Sequence, residues 1–367
     1  MVLDLCSTFA ARGHDVTLLT SDAADVPPGW IAGASGTPRV ITLDGPGRFT
    51  KLLPRAATDA AAKGLARCQV LHLHGAWETT NLQFARLCRQ IKVPYVVTVH
   101  GMLDDWSMAQ RRAKKRAYLA LAGRRFFQRA AAVQFTAMAE LDQASRYVGA
   151  SRTAVVPLLV DLAPFDELPG PGAAHAAFPD SVTELPKVLF LSRVHPKKGI
   201  ELLVEAAALL RRRARPVRVL IGGSGEPEYE ARLRRLVSDR GLEGDVRFLG
   251  LVRGVEKVSL YQAADVFVLP TSQENFGLVI PEAMACRTPV VTTRGVDIWR
   301  EIEAAGASIV DATPEAIAGA VSGLLADDTR RRELGERGRR WVYDTLSPER
   351  LVPRYEAMYA DAIARGA

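Results

Sequence analysis

Short apolar runs recur along the chain, each closed by Gly, Pro, Asp, Ser or Thr and most followed by a stretch of helical periodicity. The clearest are residues 15–20, 39–43, 70–75, 94–99, 131–136, 187–192, 217–222, 245–250, 265–270 and 288–292. Their length and β-branched content predict strands, and their near-continuous hydrophobicity predicts strands buried on both faces. Between them, residues 81–90, a segment beginning near 139, and residues 200–210, 256–263 and 281–285 read as helices. Repeated alternation of strand and helix predicts an α/β protein with doubly wound parallel sheets.

The first element departs from this rhythm. Residues 1–11 place Val2, Leu3, Leu5, Cys6, Phe9 and Ala10 on one helical face, and Gly13 can stop that helix. A crossover helix joins two parallel strands, so such a domain normally opens with a strand. This chain opens in the helix, and the expectation is that a first strand is missing. Residues 161–186 are dense in Pro, Gly and Ala and read as an interdomain connection. The predicted organisation is an N-terminal domain at 1–165, a linker at 166–186, a C-terminal domain at 187–345 and a closing helix at 346–367.

Composition narrows the possibilities. A chain of 367 residues fits two domains at about 100–200 residues each. No run of about 18 apolar residues predicts a membrane span. Asp4 and the lack of a basic leader argue against a signal peptide. The four cysteines lack C-x-x-C spacing, which argues against a metal knuckle or disulfide framework and favours a reducing cytoplasm. A formal charge of +7 favours anionic partners. Much of that charge lies in residues 107–129, which carry Arg111, Arg112, Lys114, Lys115, Arg116, Arg124, Arg125 and Arg129 with no acid. As one basic helical stretch it fits peripheral contact with an anionic membrane or a solvated face; without a recognition module, nucleic acid is not expected.

Chemistry concentrates between two strands, in residues 271–293. Glu274 and Glu282 flank Asn275, Phe276 and Gly277 on a strand-to-helix connection. Gly277 permits close backbone approach, and amides at a helix start favour an anion. One loop thus offers carboxylates for hydroxyls and amides for phosphate, a combination that suits a sugar nucleotide. Arg193, Lys197 and Lys198 sit at another strand-to-helix junction and can clamp a diphosphate. Gly223, Gly225 and Glu226 follow a strand as G-G-S-G-E, which is not the G-x-G-x-x-G of a nicotinamide enzyme. In the first domain His72 and His74 alternate on one strand, so both face one side, but without a clustered Asp, Glu or Cys partner a metal site is not expected. His100 follows the carboxyl end of the next strand, where open α/β sheets place ligand contacts.

The run E-N-F-G-x-x-x-x-E-A-M-A followed by T-P-V-V resembles the signature of retaining glycosyltransferases of family 4, and S-R-x-x-x-x-K-G and T-x-H-G-M are similar to further motifs of that family. Cys286–Arg287 stands where the family usually has a small residue and glycine. The resemblance covers nearly the whole chain except a first strand and its glycine loop. It implies the GT-B class of α/β fold: two facing Rossmann-like doubly wound domains with a cleft between them. It further implies transfer of a sugar, with retention, from a nucleotide diphosphate sugar to a sugar or lipid-linked sugar acceptor, in bacterial surface polysaccharide assembly at the inner face of the plasma membrane. By the resemblance, Arg193 and Lys198 hold the donor phosphates, Glu274 meets the donor sugar, Glu282 the ribose, and His100 the reacting sugar. Gly223, Gly225, Glu226, Asn275, Phe276 and Gly277 line the nucleotide. No cofactor or metal is implied, because the two cations supply the charge a magnesium ion would. Two other readings stay open: an epimerase of the same fold, and a nucleotide-sugar-binding protein made inactive by the missing strand.

Overall fold

The computed structural model describes residues 1–48 and 50–366. The chain folds as two compact units, Met1–Val160 with Pro348–Ala367, and Asp161–Ser347.

Among the described residues the first unit holds six strands: β1 Thr17–Thr20, β2 Arg39–Thr42, β3 Leu71–His74, β4 Tyr95–Thr98, β5 Ala132–Phe135 and β6 Thr153–Val155. β1 and β2 form a two-stranded sheet, and β3-β4-β5-β6 form a four-stranded sheet in chain order. Every pairing is parallel. The middle strands β4 and β5 are buried at every position, as their unbroken apolar runs require. The helix Pro348–Gly366 belongs to this unit, burying Leu351, Val352, Tyr355, Met358 and Ala362 at helical spacing. Phe9 from the opening helix meets Tyr355 and Tyr359 edge-on.

The second unit carries β7 Lys187–Leu191, β8 Arg218–Gly222, β9 Val246–Gly250, β10 Val266–Leu269, β11 Val290–Thr293 and β12 Ser308–Val310. They form one parallel sheet in the order β12-β11-β10-β7-β8-β9. The chain winds outward from β7 to β9, returns to the centre, and winds the other way from β10 to β12. β7 and β10 therefore flank the point where the winding reverses, and the crevice beyond their carboxyl ends is where such sheets bind ligands.

Two expectations change. Residues 166–186 are not a free linker: Gly172–Ala177 forms a helix of the second unit, with the Ala174 amide donating to Ser259 Oγ at 2.8 Å and the Gly170 amide to Gln262 Oε1 at 2.7 Å. Pro and Gly in that segment shape a tight path over the helix Gly254–Ala263 rather than a mobile one. The basic stretch is not one helix either. Asp105–Ala109 ends at an extended Gln110, Arg111 adopts a left-handed φ of 50°, and Arg112–Tyr118 then runs through a π-turn at Leu119–Gly123 into Arg124–Arg129. Two short edge strands, β6 and β12, lacked a distinct apolar run because each has three residues and is half-exposed.

The Cys286–Arg287 departure has a local account. Arg287 takes the left-handed conformation, φ +64°, that ends the helix Val279–Ala285, a position glycine fills without strain. Its guanidinium pairs with Glu336 at 2.6 Å, and its carbonyl lies against Gly335 of the helix Asp328–Leu346. A Cβ on Gly335 would stand 2.2 Å from that carbonyl oxygen. Helix propensity alone predicts that Gly335→Ala stabilises by up to about 1 kcal/mol. The contact predicts the opposite, a loss of about 1–3 kcal/mol, read by chemical denaturation. Stabilisation would show that the contact is not formed.

Candidate active site

In the second unit the charged loops meet at the reversal point. The loop after β7 carries Arg193 and closes with a turn at Pro196–Lys198, and the loop after β10 carries Glu274. The backbone laces them together: the Ser272 amide donates to Lys197 O at 2.8 Å, and Thr271 Oγ1 donates to the same oxygen at 3.0 Å. Gly199, at φ +68°, is needed here because a Cβ would stand 2.1 Å from Pro270 O. On this frame Lys198 Nζ forms a direct ion pair with the Glu274 carboxylate. Lys198 is only 4% exposed, whereas Arg193 is exposed and its guanidinium has no partner among the described residues. Burial, reinforced by Arg193 and Lys197, pushes the Lys198 ammonium down to about 8 despite that pairing.

Glu274 is held by its own backbone as well. Its amide donates to Gly295 O at 2.7 Å, and its carbonyl accepts from Asp297 N at 3.0 Å. Asn275 Nδ2 donates to Asp297 Oδ2 at 3.2 Å. Gly277, φ +64°, leaves room for the Glu274 side chain, since a Cβ there would lie 3.0 Å from Glu274 Cγ. Phe276 is buried, so its ring anchors the loop. Glu282, on the helix Val279–Ala285, accepts from Lys257 Nζ at 2.8 Å and Tyr261 Oη at 3.0 Å. Burial and the neighbouring Glu282 hold the Tyr261 phenol far above its ordinary value, so it remains a donor. Lys257 and Tyr261 were not singled out from the sequence; they stand one helical turn apart on Gly254–Ala263, but nothing in that helix names their partner.

The glycines of the G-G-S-G-E turn have a packing reason. A Cβ on Gly223 would stand 1.8 Å from Ser192 O, and one on Gly225 would stand 1.9 Å from Val194 O. Both let the turn lie flush against the loop that bears Arg193, and the Val194 amide donates to Ser224 O at 2.9 Å. The Gly225 amide is taken by Glu230 Oε1 at 2.7 Å, while Glu226 is exposed at the start of the helix Pro227–Asp239.

The first unit gathers three histidines, His72 and His74 on β3 and His100 just past β4. The rings of His72 and His74 stack at 4.4 Å, as the strand period requires, and His74 stacks on His100 at 5.2 Å. Thr98 Oγ1 gives its proton to Gln134 Oε1, so His72 Nε2 must donate to Thr98 at 2.6 Å and His72 Nδ1 accept from Tyr359 Oη at 2.7 Å. Both nitrogens of His72 are therefore engaged within the protein. His74 Nδ1 bonds His100 Nε2 at 2.9 Å. Burial lowers His72 to about 3 and His100 to about 4, so both rings are neutral at physiological pH. His100 takes a left-handed φ of 52°, a strained conformation for a residue with a side chain.

Two Rossmann-like units, the second with paired charges at its reversal point, make this an α/β protein of the GT-B glycosyltransferase class. Residues 175–341 match the glycosyl transferases group 1 and residues 1–158 the glycosyl transferase 4-like domain. The chain is 29% identical to the D-inositol 3-phosphate glycosyltransferase of Kineococcus radiotolerans, a match covering 92% of this chain and 84% of that protein. Its fold is similar to sucrose-phosphate synthase of Thermosynechococcus elongatus, with a TM-score of 0.77, 25% identity and coverage of 99% and 93% of the two chains. It is also similar to HepE of Anabaena, solved with UDP, with a TM-score of 0.78, 17% identity and coverage of 98% and 96%. The chain belongs to the group 1 glycosyltransferases.

The state of Lys198 carries a pH dependence. A lysine titrating near 8 loses its charge as pH rises through that value, and any clamp it forms on an anionic ligand weakens above it. Donor kcat/KM should fall above about pH 8 with a limiting slope of about tenfold per unit. Lys198→Arg, whose guanidinium stays charged, should move the fall upward. A flat wild-type profile to about pH 9.5 would exclude Lys198 from donor binding.

Proposed function

We propose that this protein transfers a sugar from a nucleoside diphosphate sugar to an acceptor hydroxyl with retention of anomeric configuration. The observation that carries the reading is the convergence of Arg193, Lys198 and Glu274 at the reversal point of the second sheet. In this reading Arg193 and Lys198 bind the diphosphate and stabilise the negative charge that builds as the glycosidic C–O bond breaks. Glu274 accepts from hydroxyls of the donor sugar. Glu282, oriented by Lys257 and Tyr261, accepts from the ribose hydroxyls. Gly223, Gly225, Glu226, Asn275, Phe276 and Gly277 shape the nucleotide's surroundings. The acceptor oxygen attacks the anomeric carbon on the face the diphosphate leaves, and its proton departs with the phosphate oxygen. No enzyme nucleophile and no metal ion is required by this scheme. His100, neutral at working pH, serves as a hydrogen-bonding partner for the sugar. The names of the similar D-inositol 3-phosphate glycosyltransferase and sucrose-phosphate synthase support a sugar-transfer reading.

The test is a thermal-shift screen of UDP-, GDP- and ADP-sugars, then NMR of the product formed with the donor that binds. The expected product keeps the donor's anomeric configuration and requires acceptor. Inversion would overturn retention, and acceptor-independent release of free UDP with a sugar-derived glycal would select an epimerase instead.

We propose further that the acceptor is a lipid-linked sugar of a cell-surface glycan, met at an anionic membrane. Support comes from Arg111, Arg112, Lys114, Arg116, Arg124, Arg125 and Arg129, all exposed and none ion-paired among the described residues, beside Leu121 at 80% exposure. Among the described residues no helix is long and apolar enough to cross a membrane. Each basic side chain near an anionic surface contributes about 1 kcal/mol. Sedimentation with phosphatidylglycerol vesicles should capture the protein at low salt, and replacing Arg112, Lys114, Arg116 and Arg124 with Gln should release it. Equal capture of that variant would remove this face from the account.

A further inference from the structure

We propose that Glu140 is a positioning residue for His100. After β4 the chain passes through two consecutive left-handed residues, His100 at φ +52° and Gly101 at φ +69°. Glycine adopts that conformation freely, whereas a histidine does so only where its surroundings hold it there. The hold on the backbone side is a carboxylate from a different loop. Glu140 lies in the first turn of the helix Met138–Val148 and is fully buried. Its Oε2 accepts from the Thr136 amide at 2.6 Å and from Thr136 Oγ1 at 2.9 Å. Its Oε1 crosses to accept from the Gly101 amide at 2.5 Å.

The first pair of bonds has an ordinary explanation, since an acid in the first turn commonly reaches back to a free amide at a helix start. Oε1 does not share it. Nothing in the helix requires an acceptor aimed at Gly101, and Gly101 is itself buried, away from water that could replace the carboxylate. Oε1 therefore locks the peptide that follows His100 and with it the left-handed turn. On the other side His74 Nδ1 fixes His100 Nε2, with the ring planes 16° apart. His74 is steadied by His72 stacked on it and by Asn81 Nδ2, which donates to His74 O and to Gly75 O, each at 3.0 Å. Backbone and ring of His100 are thus held independently, and its Nδ1 has no protein partner among the described residues. That nitrogen is the one offered to a ligand.

The role rests on the glycosyl-transfer reading, in which His100 meets the sugar, and the experiment keeps the two apart. Glu140→Ala, Glu140→Gln, His100→Ala and the double variant Glu140→Ala with His100→Ala are assayed in the full chain, with whichever donor the wild type turns over. Glu140→Ala should lower kcat at least about tenfold while donor KM stays within about twofold, and Glu140→Gln, which keeps one acceptor oxygen, should fall between. The double variant should lose no more than His100→Ala alone, because both changes remove one function. Multiplying losses would overturn the proposal, as would a rise in KM at unchanged kcat. A second readout needs no turnover: ¹⁵N NMR of labelled histidines in wild type and Glu140→Gln. The His100 ring signals should move or broaden while those of His72 hold still, and unchanged His100 signals would refute the role even in a soluble variant. Should the wild type turn over no donor, the transfer reading falls, and the NMR comparison still decides what Glu140 does.

Discussion

The second unit depends on the contact between Lys198 and Glu274 across the carboxyl ends of β7 and β10. An ammonium this deeply buried stays charged only beside an anion, and a carboxylate there needs a cation in turn. Each loop is thus held by the charge of the other, and the bond from Ser272 N to Lys197 O fixes their backbones at the same place. Removing Glu274 would leave a buried ammonium uncompensated, which typically costs several kcal/mol, whereas Glu274 keeps some access to water and would lose less with Lys198 removed. On the proposed reading the pair is also a placeholder: a diphosphate can take Lys198 from Glu274 and leave that carboxylate free for hydroxyls.

The same logic of mutual restraint recurs around Glu282 and around the histidines. Glu282 receives two donors from one helix, so its carboxylate is aimed before any ligand arrives. His72, His74 and His100 are neutral rings in a stack, braced by Tyr359 and Thr98 at one end and by the strained His100 turn at the other. Neutrality follows from burial and suits a hydrogen-bonding role better than proton transfer near neutral pH. The closing helix contributes to that stack through Tyr359, which links the last residues of the chain to the chemistry of the first unit.

Much of this was legible in the sequence because buried parallel strands write long apolar runs. The β7 and β10 strands, and the loops they launch, were readable from residues 187–192 and 265–270 alone. The pairing order was not, since hydrophobicity marks a strand without naming its neighbour; only the order β12-β11-β10-β7-β8-β9 brings Lys198 to Glu274. Glu140, Lys257 and Tyr261 carry no sequence signal for a related reason. Each sits on a helix where an acid, a lysine or a tyrosine is unremarkable, and its partner lies many residues away on another element. Residues 166–186 read as a connection because Pro and Gly serve both between domains and in tightly packed turns within one. In the basic segment, charge composition does not record a left-handed Arg111 or a π-turn.

The most direct test of the central claim is calorimetric titration of the wild type with a nucleoside diphosphate and with the matching monophosphate, repeated with the variant Arg193→Ala, Lys198→Met. If the two cations grip the second phosphate, the wild type should prefer the diphosphate by at least about tenfold, equivalent to about 1.4 kcal/mol, and the variant should bind both alike. Equal affinity of the wild type for the two nucleotides, or a preference that survives in the variant, would contradict the account.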